Sequence, residues 1–397
     1  MLIEILLAIF IGVFAGTITG LAPGIHINLV GAVLVSLSAT LFSKIAPIYL
    51  IVFISAMAIT HTFIDFIPSI FLGCPDTDTQ LSVLPGHEML KDGKGYEAVS
   101  LTSLGGIAAI FILIIISFPL GFLVSKIYDP IHSVMLWILL VTTFILIFAE
   151  KNKFTALFVF LISGILGLCV LNIGLKEPLL PLLTGLFGSS MIITSIKNKI
   201  QIPPQEISEP KEKLIRPLIG SILASSLCGF LPGLGGGQAA VLGNTISKTD
   251  KKGFLILIGA VNILVMGFSF VSLYAISKIR TGAAASIQEI IGTLSWKILI
   301  LILFSVLISG VISFFLAKFL AKFFCQKINK INYFLLSIAT LIFLVIIVLI
   351  FSGFLGLLIL VASTLVGIYC NSLPVKKTHM MGCLLIPTII YYTGIIL

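Results

Sequence analysis

Long apolar runs alternate with short polar breaks along this chain, and the runs have the length of membrane-crossing helices. Ile107 to Val124, Ile298 to Leu316 and Tyr333 to Ile350 each approach the ~20 apolar residues that a spanning helix requires. The pattern predicts ten spans, near 45–73, 98–125, 131–149, 154–172, 179–196, 253–277, 293–317, 332–351, 353–370 and 378–396. It also predicts two helical hairpins, at about 2–42 and 215–247, each interrupted by glycine and proline. The first break reads Gly20-Leu-Ala-Pro23-Gly24-Ile-His26-Ile-Asn28, the second Gly229-Phe-Leu-Pro232-Gly233-Leu-Gly235-Gly236-Gly237. Gly20/Gly229, Pro23/Pro232 and Gly24/Gly233 share one offset of 209 residues. Proline removes a helical N–H and glycine tolerates non-helical dihedrals, so each hairpin should unwind there. Unwound backbone at membrane depth survives only where protein buries it or it lines a polar cavity. Paired interruptions in corresponding positions of two halves point to a transporter's substrate site.

The polar breaks assign sidedness. With 197–216 placed in the cytoplasm and each hairpin returning to its starting side, the cytoplasmic segments are 74–97, 150–153, 197–216, 248–252, 318–331 and 371–377. Of the 24 lysines and arginines, only Lys44, Lys126, Lys176, Lys278, Arg280 and Lys297 fall outside them. That is the positive-inside bias. Five spans follow each hairpin, so the two halves are expected to be inverted. The predicted fold is an all-α polytopic membrane protein of two inverted repeats, 1–196 and 215–397, joined by a proline-rich cytoplasmic linker at 197–214. The expected location is the plasma membrane.

Composition narrows the function classes. Apolar residues make up 59% of the chain and charged residues 10%, with a mean hydropathy of +1.24. An ordinary soluble domain is about 25% charged. The first 20 residues lack a basic segment and carry Glu4, so they are not expected to be a cleaved signal. The six cysteines are scattered without a C-x-x-C pair and suggest neither a disulfide framework nor a zinc site. The net charge of +9 comes from lysines in short loops, which argues against a nucleic-acid partner. No G-x-x-x-x-G-K-[ST] loop is present, so the chain does not hydrolyse ATP itself.

Two groups of residues carry the expected chemistry. A helix restarting after Pro23-Gly24 or Pro232-Gly233 presents free N–H groups, equivalent to about half a positive charge at each end. Two such ends suit a carboxylate or phosphate. The expected substrate site is therefore Gly20, Pro23, Gly24, His26 and Asn28 with Gly229, Pro232, Gly233, Gly235, Gly236, Gly237 and Gln238, continued by Asn244 and Thr245. Tight helix packing is the competing use of such glycines. The second group is expected to couple an ion. Asp65 is the carboxylate clearly inside an apolar span, where charge is costly and functional by default. His61 lies four residues earlier on the same helical face. Asp76, Thr77, Asp78 and Thr79 add hard oxygen groups suited to Na+ or a proton relay; a solvated turn is the alternative. No other cofactor is expected. Lys278 and Arg280 are placed at the outer entrance.

The motif order resembles that of the large membrane subunit of tripartite tricarboxylate transporters. The resemblance rests on Gly20-Leu-Ala-Pro-Gly24, on Gly229-Phe-Leu-Pro-Gly-Leu-Gly-Gly-Gly237, on Gly73-Cys-Pro-Asp-Thr-Asp-Thr-Gln80 and on Leu84-Pro-Gly-His-Glu-Met-Leu-Lys-Asp-Gly-Lys-Gly-Tyr-Glu-Ala98. It covers essentially the whole chain. The chain is shorter than typical members and has Pro75-Asp-Thr-Asp-Thr79 where they have Pro-Gly, which marks a divergent, archaeal-type branch. The resemblance implies import of a di- or tricarboxylate driven by a Na+ or H+ gradient. It also implies a small membrane subunit and an extracytoplasmic solute-binding protein as partners. A homodimer is a further assembly to be tested.

Three rival readings use the same residues. The helix ends would equally suit a lipid-linked phosphate such as a polyprenyl phosphate. An intramembrane enzyme would need an H-E-x-x-H set or a second buried aspartate beside Asp65, and neither is found. A channel would not call for paired broken hairpins.

Overall fold

The computed structural model describes residues 2–22, 45–73, 81, 83–175, 177–197, 202–230, 235–328 and 333–394. Those residues form helices joined by short turns, with no strand among them. Eight helices among them are long and apolar enough to cross a membrane. With the shorter apolar segments they make a multi-pass, all-α membrane protein.

Helix α1 (Leu2–Leu21) lies against α2 (Pro47–Ile64). Gly12, Gly16 and Gly20 recur every four residues on the contact face. A Cβ at Gly12 would stand 2.6 Å from the Phe53 carbonyl oxygen, and one at Gly20 would stand 2.9 Å from Ile64 Cβ. Small residues let helix backbones approach this closely in a membrane. A turn at Asp65 separates α2 from α3 (Phe66–Phe71). Pro68 has no N–H to give the Ile64 carbonyl, which loosens the helix there. Helix α4 (Val83–Lys91) then packs beside α3, with His87 Nδ1 3.1 Å from the Ile70 carbonyl oxygen.

The sequence predicts separate spans at 98–125 and 131–149, whereas α5 (Gly95–Phe148) carries helical turns across the boundary between them. A straight helix of that length would measure about 80 Å, far beyond a bilayer. Its neighbours show that it doubles back. Gly105 abuts Ile256 and Gly121 approaches Val271 and Ala275, whereas Ile145 and Ala149 line a cavity with Lys248 and Lys251. All of these partners lie on or beside α11 (Lys251–Ile276), so the chain reverses between Gly121 and Ile145. Pro130 sits inside that corner.

The remaining helices are α6 (Lys153–Asn172), α7 (Leu179–Leu183), a wide π turn at Thr184–Ser189 and α8 (Ser190–Lys197). They are followed by α9 (Ile215–Cys228), α10 (Gly236–Ser247), α11, α12 (Gly282–Ile291) and α13 (Trp296–Ile328). Helix α14 (Tyr333–Ser372) is broken at Gly353, whose φ of 64° suits glycine; a 3-10 turn (Lys377–Met381) and α15 (Gly382–Thr393) end the fold. The break at Gly353 coincides with the boundary expected between spans 332–351 and 353–370.

The halves of the chain pack crosswise through matching contacts. Gly185 abuts the Leu360 carbonyl and Ser363, and Gly382 abuts the Phe160 carbonyl and Ser163. The second set repeats the first at offsets of 197 and 200 residues, with the halves exchanged. Likewise Gly20 meets Ile64, and Gly229 meets Phe268.

Polar contacts draw the six lysine-rich segments onto one face. Lys252 Nζ reaches Glu97 at 2.7 Å and Glu212 at 3.4 Å, and Lys251 bridges to Glu88. Glu209 accepts from Tyr96 and Lys318, each at 2.7 Å. Gln205 accepts from Gly95 N–H at 2.8 Å and donates to the Leu90 carbonyl at 2.9 Å. The linker between the halves is thus strapped across this face. His379 Nε2 stands 3.3 Å from Glu150, which adds 150–153 and the stretch beyond Ser372.

Candidate functional site

Helices α9 and α10 form the second hairpin. At 14 and 12 residues they measure about 21 and 18 Å, short of the ~30 Å hydrocarbon thickness. Gly220 near the start of α9 meets Gly243 and Ser247 at the end of α10, so the helices are antiparallel and open on one side. Neither helix is long enough to cross by itself, and the described residues beside the break, Phe230, Gly236 and Gly237, are buried. Phe230 stacks on Phe268 at 5.5 Å, which gives the break an apolar wall.

The chemistry of the break lies where α10 restarts. Gly235 is extended, at φ −116° and ψ −170°, and the helix begins at Gly236. Gln238 Oε1 accepts from Gly235 N–H at 3.0 Å. The sequence reading gives Gln238 a substrate contact; its carbonyl caps the helix, and its amide NH2 is the end that can meet a ligand. The N–H groups of Gly236 and Gly237 belong to the first turn, which has no helical acceptors, and both residues are buried. Buried first-turn N–H groups with a helix dipole behind them suit an anion.

Gly20 and Gly229 stand at close helix contacts. A Cβ at Gly229 would stand 2.8 Å from both Phe268 Cβ and the Ser225 carbonyl oxygen. Both glycines let the helix before the break press against the long helix beside it. Pro23, Gly24, His26, Asn28, Pro232 and Gly233 lie outside the described residues, as do Asp76, Thr77, Asp78 and Thr79.

Asp65 and His61 are both buried on α2 and its turn. His61 Nδ1 stands 3.1 Å from Thr19 Oγ1, one residue before Gly20. Asp65 lies at the turn where α2 gives way to α3. The structure thus places His61 beside the end of α1, with Asp65 one turn further along the chain. Thr19 is a residue the sequence reading passed over; its position directly before the glycine break is the signal that could have found it. In the second half, Ser269 stands 204 residues after Asp65, as Phe268 does after Ile64, and accepts from Thr281 Oγ1 at 2.9 Å.

Residues 6–382 match the model of the tripartite tricarboxylate transporter TctA family. An uncharacterized protein of Methanocaldococcus jannaschii is 33% identical over 399 residues, a stretch covering 98% of each chain. No solved structure matches. The matched stretch runs from α1 to the start of α15 and takes in both hairpins and Asp65. With its all-helical membrane architecture, this chain belongs to the tripartite tricarboxylate transporter TctA family, a family of transporters.

Proposed function

We propose that this chain is a permease that moves a small organic anion, a di- or tricarboxylate, across the plasma membrane. Transport proceeds by alternating access and is coupled to a Na+ or H+ gradient. The observation that carries this reading is the buried restart of α10 at Gly236-Gly237-Gln238, inside a hairpin too short to span. The crosswise contacts support two inverted repeats, since exchanging the halves reproduces them. The lysine-rich face is the cytoplasmic one. Asp65, one turn after the His61 that meets Thr19, is the coupling group. A small membrane subunit and an extracytoplasmic binding protein complete the assembly, as the tripartite family name suggests.

The test is uptake of labelled citrate and succinate by proteoliposomes under an imposed Na+ or H+ gradient. Concentrative uptake is expected under one gradient, with Gly236→Ala weakening anion affinity far more than detergent stability. Flux equal to that of protein-free vesicles under both gradients, with the partner subunits added, would sink the proposal. Cysteines placed at Ser208 and Ala285 should be labelled from opposite sides of the membrane; labelling from one side would end the inverted-repeat reading.

A further inference from the structure

Away from the break, a cavity of about 540 Å3 opens on the lysine-rich face. Helix α10 supplies Val241, Asn244, Thr245 and Lys248 to its wall. These positions continue the helical face that begins at Gln238, so the cavity extends from about 5 to about 15 Å beyond Gln238. Lys376 and Lys377 enter from the segment after α14, and Phe187 and Met191 give an apolar wall. Volumes of 300–1,000 Å3 with apolar walls and few polar groups are usual for small-molecule sites.

Charge in the cavity is unbalanced. Lys248, Lys251, Lys376 and Lys377 line it, and Asp250 is the acidic lining residue. Asp250 Oδ1 already accepts from Gly253 N–H at 2.9 Å. Two more carboxylates lie near: Glu88 is bridged to Lys251, and Glu150 is held by His379. Lys248 caps α10 in a left-handed conformation, φ 47° and ψ 55°, where glycine or asparagine would sit without strain. A strained lysine at the rim of a basic cavity is the kind of outlier from which a functional role is inferred.

We propose that this cavity is a second anion subsite, a cytoplasmic vestibule in which Lys248, Lys376 and Lys377 hold the carboxylates of an organic polycarboxylate. The carbon skeleton rests on Phe187 and Met191. The inference rests on the carboxylate-transport reading for its ligand class, and it adds a place where substrate pauses between the break and the cytoplasm.

The test uses the full chain in phosphatidylcholine nanodiscs, with Cys74 and Cys169 replaced by serine. Thr378→Cys reports alkylation in the cavity, and Thr249→Cys serves as a second reporter. Citrate is expected to slow alkylation at both by about tenfold, as charge-assisted contacts to several ammonium groups should allow. The double variant Lys248→Asn/Lys377→Gln should abolish this protection, and Gly236→Ala should retain it. Inorganic phosphate at matched ionic strength should protect little.

No slowing by citrate, or equal slowing in the lysine double variant, would overturn the proposal. Phosphate protecting as well as citrate would overturn the polycarboxylate assignment. Protection by added phosphatidylglycerol without citrate would assign the cavity to a lipid headgroup and overturn it too. Protection without citrate transport would leave the subsite standing and defeat the transport reading; transport without protection would do the reverse.

Discussion

Helices α5 and α11 meet through two glycines whose replacement has a calculable cost. A Cβ at Gly105 would stand 2.9 Å from the Ile256 carbonyl carbon and 3.0 Å from Ala260 N, closer still to the Ile256 oxygen. A Cβ at Gly259 would stand 2.7 Å from the Thr102 carbonyl carbon and 2.8 Å from Thr102 Cα. Every one of these neighbours is backbone, so none can rotate away. The helices must part by about 1 Å, a gap that forfeits roughly a quarter to a half of the dispersion energy across the contact. Overpacking typically costs 1–3 kcal/mol, and rigid neighbours put Gly105→Ala and Gly259→Ala near the upper end, about 3 kcal/mol each. Gly121→Ala is the internal control on the same helix pair. Its Cβ would meet a Val271 methyl at 3.3 Å and Ala275 Cβ at 3.8 Å, so about 0.5 kcal/mol or less is expected. Thermal unfolding in one detergent, followed by size-exclusion chromatography, should show a fall of about 5 °C for the first two variants and little for the third. The double variant should lose less than the sum, because one separation relieves both clashes. Equal losses at Gly105 and Gly121, or full additivity, would refute the close-crossing argument.

Other perturbations follow from the charged groups and the ion site. Desolvation, helped by Lys91 and opposed by the Ile70 carbonyl, lowers the His87 pKa from 6.5 to about 4. Native protein then holds fewer protons than unfolded chain between those values, so this stabilisation is complete above pH 6.5 and is lost as pH falls toward 4. It amounts to about 3 kcal/mol, and the stability difference between wild type and His87→Gln, measured from pH 7 to 4, should shift by that order; a constant difference would contradict it. Lys252→Ala strands Glu97, whose side chain is 8% exposed, and should cost about 2 kcal/mol. Lys251→Ala, on the 40% exposed Glu88, should cost under about 0.5 kcal/mol in the same denaturation series. Asp65→Asn should abolish gradient-driven accumulation while leaving exchange partly intact; unchanged concentrative uptake would remove Asp65 from the coupling mechanism.

The sequence by itself determined the helices, because in a bilayer each apolar segment must satisfy its backbone within itself and so reveals itself locally. The predicted spans at 253–277, 332–351 and 353–370 depend on neighbours along the chain alone, and the structure follows them closely. The lysine-rich segments were equally legible, since their shared face follows from composition.

What only the tertiary structure decided depends on partners far away in the chain. That α9 and α10 lie antiparallel rests on Gly220 meeting Gly243 and Ser247. That α5 doubles back rests on its contacts with the two ends of α11. Gly20 was legible as a special glycine, yet only the position of Ile64 shows that it serves close packing. Gln238 was legible as polar, but its use as a cap needed the path of the backbone at Gly235. The basic cavity was invisible in sequence, because Lys248, Phe187 and Lys377 come from three distant stretches. Hydropathy fixes what a segment is; which side chains face one another is fixed by how closely the helices can approach, and that is set by glycine contacts with atoms from about twenty to over two hundred residues away.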